Sequence, residues 1–233
     1  MKLFYLGGKS SALHYAARYL ENMGYRFSDT LQPEVTHILL DVPTPNDEIH
    51  LPETTSPNTC IIGGNLPPLG ARPVLDLLQD PQYVAENAYI TAHCAVKLAM
   101  NRLPIPLRHR KILVIGWGRI GKCLATLLKS LEAEVTVAAR KESDRAMLTA
   151  LGYEAIDTKD LSGDKYRIIF NTVPAMILTD NCPCQKIDLA SSPGIAGQDV
   201  LIARGLPGKE APEASGELIA RRIDHYLKKG ETE

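Results

Sequence analysis

The sequence has 233 residues, of which 45% are hydrophobic and 23% are charged, and its formal net charge is -1. This length suits one large domain or two modest ones, and we expect two. The net charge is near neutral, so nothing in the composition favours binding to nucleic acid or to a membrane surface. We therefore expect neither of these partners and expect a small ligand instead.

The cysteines do not form a familiar pattern. There are five of them, with no CxxC pair, so the sequence predicts neither a disulfide framework nor a zinc site and favours a reducing compartment. The first residues, MKLFYLGGKS, hold too few apolar residues for a signal peptide, and no apolar run approaches about 18 residues. We therefore expect a cytoplasmic protein without a bound metal.

Residues 1–85 predict a small α/β domain. The pattern gives a strand in KLFYLGG, a helix in SALHYAARYLENMGY, and β-like runs in THILLDV and TCIIGG. Residues 80–103 then keep an apolar face at helical spacing and stop before Pro104, which cannot sit inside a helix. This segment predicts a long helix that joins two domains.

Residues 86–211 predict a Rossmann-type, doubly wound parallel sheet. From residue 110 onward, strands alternate with helices: KILVIG, EVTVAA, EAI, RIIFNT, QKIDLA and VLIA are the predicted strands. The last helix, residues 212–229, has apolar residues at helical spacing, and we expect it to pack back on the first domain.

A glycine turn follows the first of these strands. In GWGRIG, Gly116, Gly118 and Gly121 have the spacing of a dinucleotide-binding turn, between a strand and a helix. The first permits the turn, the second admits a pyrophosphate, and the third allows close helix packing. The helix N-terminus then faces the phosphates. The alternative is a purely structural turn.

The residues after the second strand favour NADP as the cofactor. NAD sites place an acid there for the ribose hydroxyl, whereas this chain has Ala139, Arg140 and Lys141. Nothing at that position repels a 2′-phosphate, and two cations can bind it. The alternative is that both cations are solvated and Glu142 binds the ribose.

Two later loops follow buried strands at the edge where such sheets bind ligands. FNTVPAMIL (170–178) and KIDLASSPG (186–194) predict the lining of a nicotinamide and substrate cleft, although either could be an ordinary loop. The predicted cofactor-binding residues are Gly116, Trp117, Gly118, Arg119, Ile120, Gly121, Ala139, Arg140, Lys141, Asn171, Thr172, Val173, Pro174 and Asp188.

The stretches VIGWGRIGKCLATLLKSLEAEVTVAARK, FNTVPAMIL, IDLASSPG and GLPGKEAPEASGELI together resemble the A-subunit family of dipicolinate synthases over residues 87–227. The resemblance implies the two-domain fold of the 2-hydroxy-acid dehydrogenases, with an NADP-binding domain beside a smaller, flavodoxin-like α/β domain. It also implies a partner, the flavoprotein-like B-type subunit, and formation of pyridine-2,6-dicarboxylate from a dihydrodipicolinate-type precursor. Where the family tends to read PTAEGA, this chain reads ITAHCA (90–95), and its N-terminal domain is shorter than expected; the exact substrate therefore stays open.

His93 is the predicted proton acceptor, because imidazole titrates near neutral pH and the linking helix borders the cleft in this arrangement. Lys209 is the predicted cation for a substrate carboxylate, with Arg204 and Lys97 as further candidates. Thr91, Ser191, Ser192 and Lys209 are the predicted substrate-binding residues. Each could equally be an ordinary surface or structural residue; we expect Cys94 to pack as a small apolar side chain and the other histidines, His50 among them, to be structural.

Three functions stay open. The first is an aromatising NADP-dependent oxidoreductase of the dipicolinate type, acting on a small dicarboxylate in a homo-oligomer. The second is an NADP-dependent oxidoreductase for another small acid. The third is a non-catalytic NADP-binding or scaffolding protein. Residues 204–215 contain no histidine to protonate a carbonyl, which argues against ketone reduction.

Overall fold

The computed structural model describes residues 2–46, 49, 51–52, 55–179 and 182–229. These residues form two compact units. Unit 1 comprises the residues up to Asn87 together with those from Pro207 onward, and unit 2 is Ala88–Leu206. The sequence predicts boundaries after residues 85 and 211. Unit 1 is therefore discontinuous along the chain, with unit 2 inserted into it.

Unit 1 is built on a parallel sheet. Its elements are β1 (Leu3–Leu6), α1 (Ser11–Asn22), β2 (Arg26–Ser28), β3 (His37–Leu39), β4 (Cys60–Gly63), β5 (Val74–Asp76), a 3₁₀ turn (Leu77–Gln79) and the C-terminal helix α6 (Pro212–Lys229). The strand order is β2-β1-β3-β4-β5. This is the flavodoxin-like order, so the predicted class of the smaller domain is confirmed. His50 lies outside the described residues.

Strands β2 and β5 are missing from the sequence prediction. Each is three residues long and lies at an edge of the sheet, and none of its residues is fully buried. A short edge strand needs no apolar alternation because only one side pairs with a neighbour. The sequence pattern consequently carries little signal for either strand.

Helix α1 packs against α6. Ser10 caps α1, with its side chain accepting a hydrogen bond from the Leu13 backbone N–H. Ala12, Leu13, Ala16 and Leu20 are its buried residues, at helical spacing. Gly216 of α6 lies so close to α1 that a Cβ there would overlap the Ala12 carbonyl oxygen. A glycine at this position thus sets how closely the two helices approach.

A buried ion pair fixes α6 to the residue before the long helix. Arg222 of α6 bonds to Asp80, and their side chains keep 9% and 3% of their exposure. The same guanidinium donates through Nη1 to Gln82 at 2.6 Å. Because both charges have left water, removing either partner would strand the other in a poorly solvated place.

His37 lies inside unit 1 and is held neutral there. Its ring stacks on Phe4 with 4.8 Å between centroids, and Nδ1 is 2.8 Å from the Thr36 hydroxyl. Burial, and secondarily the charge of Lys2, lowers the pKa of His37 to about 4. Protonation of this histidine therefore opposes folding.

Unit 2 contains a six-stranded parallel sheet. Its elements are β6 (Lys111–Ile115), α3 (Arg119–Ser130), β7 (Glu134–Ala138), α4 (Glu142–Ala150), β8 (Glu154–Ile156), β9 (Ile168–Asn171), β10 (Leu178–Thr179), β11 (Gln185–Asp188), β12 (Ile195–Ala196) and β13 (Val200–Ile202). The order β8-β7-β6-β9-β11-β13 matches the Rossmann order 3-2-1-4-5-6. The predicted doubly wound parallel sheet is confirmed.

Two connecting helices complete the chain. Helix α2 (Pro81–Met100) begins in unit 1 and continues into unit 2, and the short α5 (Leu206–Glu210) begins where unit 2 ends. Strands β10 and β12 pair only with each other, are two residues long, and were not predicted. Among the described residues, no helix combines the length and the apolar character needed to cross a bilayer.

The order of the sheet determines where ligands can bind. Strands β6 and β9 are neighbours, and the chain leaves them toward opposite halves of the sheet. In open α/β sheets this switch point opens a crevice beyond the carboxyl ends of the strands. The glycine turn follows β6, and the FNTVPAMIL loop follows β9, so both lie at this crevice.

Candidate functional site

The glycine turn has the backbone that its sequence predicts. Gly116 adopts φ 104, which L-residues rarely adopt, and a Cβ there would overlap the Thr172 side chain. A Cβ on Gly121 would overlap the Gly116 carbonyl oxygen. At Gly118, by contrast, a Cβ would meet nothing within 4 Å. Gly116 and Gly121 are therefore required by the fold, whereas Gly118 faces open space.

Helix α3 begins directly after this turn. Gly118 is its N-cap residue and has no side chain to cap it, and the first helical bond is donated by Lys122 N–H to the Gly118 carbonyl. The N–H groups of the first turn thus lack an intrahelical acceptor. Together with the helix dipole they form a site suited to a phosphate.

A groove of about 360 Å³ opens over the turn. Seven predicted cofactor residues line it, one from the FNTVPAMIL loop and six from the first two strand ends: Gly116, Trp117, Gly118, Ala139, Arg140, Lys141 and Val173. Five further residues line it: Ala175 and Ile177 belong to the FNTVPAMIL loop, which was predicted as a whole, whereas Ala138, Asp144 and Thr158 were not predicted. The carboxyl ends of β6, β7, β8 and β9 thus contribute to one continuous surface.

Arg145 shapes the turn that carries the two cations. Its Nη1 donates to the carbonyls of Ala139 and Arg140, each at 2.8 Å, and pairs with Asp157 at 2.9 Å. The Arg145 guanidinium also helps to keep the pKa of Asp157 below its ordinary value, after the hydrogen bond from the Lys159 backbone. Arg140 itself stays exposed on the groove, so its guanidinium can reach an anion there.

The structure corrects one part of the cofactor argument. The sequence suggests that nothing at this end of the groove repels a phosphate, but Asp144 of α4 lines the same groove as Arg140 and Lys141. Asp144 lies in the first turn of α4, where the helix dipole stabilises a negative charge. Glu142, the alternative ribose ligand, is exposed and is not among the described lining residues.

Asn171 and Asp188 act behind the groove. Both are buried, and Asn171 Nδ2 donates to Asp188 Oδ1 at 2.9 Å. Asn171 also exchanges hydrogen bonds with the Val173 backbone, and Asp188 accepts from the N–H groups of Ala190, Gly194 and Ile195. Their polar atoms therefore hold the two loops in place.

The neighbouring loop residues are tied to one another as well. Thr172 Oγ1 donates to the Ile115 carbonyl at 2.9 Å, and Ser192 Oγ donates to the Pro174 carbonyl at 2.9 Å. Ser191 and Ser192 are exposed, while Arg204 Nε donates to the Ala190 carbonyl at 3.2 Å. These bonds make a connected frame of the two loops, with exposed hydroxyls on it.

The predicted residues of the long helix lie elsewhere on unit 2 or inside it. His93 is exposed and its ring is 4.6 Å from that of Tyr89. Thr91 and Cys94 are buried, and Lys97 is exposed. None of the described residues that line the glycine groove belongs to α2. The assignment of His93 to the chemistry stays a prediction.

Lys209 lies on α5 and is exposed. It belongs to unit 1, whereas Ser191 and Ser192 belong to unit 2. Its common role with them in one substrate site stays a prediction.

The sequence predicts no disulfide framework; the structure places the sulfurs of one pair, Cys182 and Cys184, side by side, with their Cα atoms 5.4 Å apart. The two cysteines are separated only by Pro183, a spacing that is not typical of disulfide frameworks or zinc sites. A Cα distance in this range is normal for a disulfide. Cys60, Cys94 and Cys123 form no disulfide.

Comparison with known proteins shows what this chain is similar to. Residues 86–182 match the family model "D-isomer specific 2-hydroxyacid dehydrogenase, NAD binding domain". The A subunit of dipicolinate synthase from Bacillus subtilis (strain 168) is 27% identical over 179 residues, which is 70% of this chain and 60% of that protein. The chain resembles the dipicolinate synthase A subunit. The match spans less than two thirds of that relative's length.

Solved structures agree on the fold. The dipicolinate synthase A chain from Bacillus subtilis superposes with a TM-score of 0.81 at 22% identity, covering 100% of this chain and 97% of the other. The corresponding protein from Bacillus halodurans gives 0.80 at 21% identity, with 97% of each chain covered. A transhydrogenase from Sinorhizobium meliloti gives 0.69 at 13% identity, covering 98% and 94%. The family match supports a nicotinamide dinucleotide cofactor and an oxidoreductase.

Proposed function

We propose that the glycine groove of unit 2 binds NADP and that the chain is an NADP-dependent oxidoreductase of the dipicolinate synthase type. The observation that carries this proposal is the groove itself, where an uncapped helix N-terminus and two cations share one surface. Gly118 leaves room for a pyrophosphate, and Arg140 and Lys141 supply charge for a 2′-phosphate.

The residues present fit this cofactor. Trp117, Val173 and Ile177 give the groove apolar walls, and no Cβ obstructs the position over Gly118. A bound NADP supplies hydride transfer. The chain's own task is to orient the ring, to exclude water and to accept a proton from the substrate. The Asn171–Asp188 frame serves the first task, since it fixes the loops that border the groove.

The proposed substrate is a small dicarboxylate of the dihydrodipicolinate type, oxidised to the aromatic pyridine-2,6-dicarboxylate. Aromatisation supplies much of the driving force, so the demands on the protein are mostly positional. We assign His93 as the proton acceptor and Lys209 as a carboxylate ligand, with Thr91, Ser191 and Ser192 as further substrate contacts. The absence of histidine in residues 204–215 favours this reaction over ketone reduction.

The partners belong to the same proposal. The relative's name marks it as one component of a synthase, and by that similarity we propose that this chain works with a flavoprotein-like B-type subunit and that it assembles as a homo-oligomer. Light scattering of the isolated chain, and of its mixture with the B-type subunit, would measure both associations. A monomer that does not bind the B-type subunit would contradict the two proposed associations and would leave the proposed activity untouched.

Turnover tests the activity. The full chain, with and without the B-type subunit, is mixed with NADP and freshly formed dihydrodipicolinate, and reduced cofactor is followed by absorbance. We expect turnover, and no turnover with 2-hydroxy acids. Reduction of NADP by another small acid alone would support the second function. Cofactor binding without any turnover would support the third.

Variants test the residue roles. His93→Gln should lower kcat by about 10²-fold, the usual contribution of a general base, and the loss should be smaller above the pKa of the substrate proton. Lys209→Gln should raise KM more than it lowers kcat. Met100→Gln is the matched control for His93, because Met100 is an exposed residue of the same helix to which no role is assigned. Equal losses in the control would contradict the assignment.

A further inference from the structure

A second cavity lies at the opposite edge of the unit 2 sheet from the glycine groove. It has a volume of about 290 Å³. Arg167, Gln185 and Asp199 line it just before or at the start of β9, β11 and β13, so it opens at the amino ends of these strands. The cofactor proposal makes no use of this cavity.

The two bonded cysteines line this cavity. Cys182 and Cys184, on either side of Pro183, keep 6% and 7% of their exposure. The two residues therefore line a space of the size of a small molecule. The Cα atoms are 5.4 Å apart, so the two sulfurs can bond or separate with little movement of the backbone.

Positive charge surrounds the pair. Arg102 and Arg167 line the cavity, against one acid, Asp199. Lys186 is almost fully buried, and its Nζ donates to the Cys182 carbonyl at 2.7 Å and to the Gln198 carbonyl at 3.4 Å. Neighbouring cations favour the thiolate, which is the reactive form of cysteine.

Gln185, which lines the cavity, carries hydrogen-bonding atoms that no described residue uses. Both Nε2 and Oε1 of Gln185 are buried, and neither has a hydrogen-bond partner among the described residues. Buried polar atoms without partners are rare and costly. A ligand with amide or carboxylate groups would satisfy them, next to the two cysteines.

We propose that Cys182 and Cys184 form a thiol–disulfide exchange site for a small disulfide that carries carboxylates. In the reduced chain, one thiolate attacks a sulfur of the small disulfide, forms a mixed disulfide and releases one thiolate. The second cysteine thiolate then attacks the mixed disulfide and releases the other. The protein loses two electrons and two protons, and one small disulfide becomes two thiols. Arg102 and Arg167 bind the carboxylates, and the Gln185 amide binds the remaining polar groups.

Mass spectrometry of the full chain tests the site. The chain is fully reduced, freed of reductant and exposed to excess oxidised glutathione or to the uncharged bis(2-hydroxyethyl) disulfide. Samples are quenched with acid at set times. We expect the loss of two hydrogens, with the bond mapped to the peptide that holds both cysteines. Cys60, Cys94 and Cys123 should remain available for alkylation.

Charge variants test the recognition of carboxylates. Arg102→Gln combined with Arg167→Gln should slow oxidation by oxidised glutathione about fivefold more than oxidation by the uncharged probe, because both reactions lose the cations that favour the thiolate but only glutathione loses two exposed ionic contacts. Arg108→Gln combined with Arg110→Gln removes the same charge outside the cavity and should change neither rate. The proposal is overturned if Cys182 and Cys184 stay reduced or stop at a mixed disulfide, or if the Arg102 and Arg167 changes slow both probes equally.

Discussion

Removal of the Arg140 guanidinium should reduce the preference of the groove for NADP over NAD. Arg140 lines the groove and its backbone carbonyl is held by Arg145, so Arg140→Ala removes one cation without moving the turn. The ribose 2′-phosphate is the group by which the two cofactors differ. The ratio of their dissociation constants therefore reports on this contact alone.

The expected size follows from the exposure of the side chain. A charge-assisted hydrogen bond contributes roughly 1.5–3 kcal/mol, whereas a fully solvated ion pair contributes about 0.2–1 kcal/mol. Arg140 is exposed on the rim of a groove, which places it between these limits at about 1–2 kcal/mol, or about 5- to 30-fold in the ratio. Asp144 opposes the phosphate, so Asp144→Asn should raise the ratio.

Trp117 provides the assay. It is the single tryptophan of the chain and it lines the groove. Its emission overlaps the absorption of reduced nicotinamide, so binding of NADPH or NADH should quench it. Each cofactor is titrated against the wild type, Arg140→Ala and Asp144→Asn. Arg108→Ala is the matched control, since Arg108 pairs with Glu132 on the surface.

Two results would contradict a contact between Arg140 and the 2′-phosphate. One is a wild type that binds NAD as tightly as NADP or more tightly. The other is an Arg140→Ala variant that keeps the full NADP preference, because the guanidinium would then be a solvated surface charge. If Arg140→Ala keeps the preference, the same titration with Lys141→Ala shows whether Lys141 binds the 2′-phosphate instead.

Three further outcomes are expected. Gly118→Leu should abolish cofactor binding and leave the fold intact, since its Cβ points into open space; Gly208→Leu, with equal room, should bind normally. Acid should destabilise the chain by about 2 kcal/mol through His37 between pH 6.5 and 4, discounted for partial solvation, because the unfolded state binds the proton that the folded state refuses. Asp80→Asn should cost about 3 kcal/mol by stranding Arg222.

Each outcome has a measurement that can contradict it. For Gly118, Trp117 quenching and circular dichroism separate lost binding from lost structure. For His37, urea denaturation at pH 7 and pH 4 should show a difference that shrinks in His37→Gln; an unchanged difference would assign it to other groups. For Asp80, the double replacement of Asp80 and Arg222 by Leu and Met should recover much of the loss, and no recovery would show that lost packing dominates.

The sequence was sufficient to predict the architecture wherever the hydrophobic pattern extended over a long segment. Strands such as β6 and β7 are buried runs with a turn after them, and α3 has one clear apolar face, so both the period and the glycine spacing were readable. It was insufficient for β2, β5, β10 and β12, whereas β8 and β13 are equally short and were predicted from their place in the regular alternation of strands and helices.

The site shows a similar division. Residues at the ends of β6 and β7, such as Gly116 and Arg140, were predicted. Asp144 and Thr158 were missed, although the neighbouring positions of β7 and β8 in a Rossmann sheet would bring both strand ends to the groove. The roles of Asn171 and Asp188 could not be known, because only the fold reveals that their polar atoms bond to each other. The CxC spacing of Cys182 and Cys184 is not one of the familiar disulfide or zinc patterns, so the sequence carries little signal for this pair.

The insertion of unit 2 into unit 1 sets the order in which the chain can fold during synthesis. Helix α1 is made early, but α6, which packs on it, emerges only after the whole of unit 2. Roughly 190 residues separate Leu20 from Pro212, so at typical ribosomal rates α1 waits about 10–40 s for its partner. Unit 2 is continuous and can fold in that interval. The ion pair between Arg222 and Asp80 is thus among the last contacts to form. A nascent chain that stalls before α6 is made would expose the apolar face of α1 to chaperones and proteases.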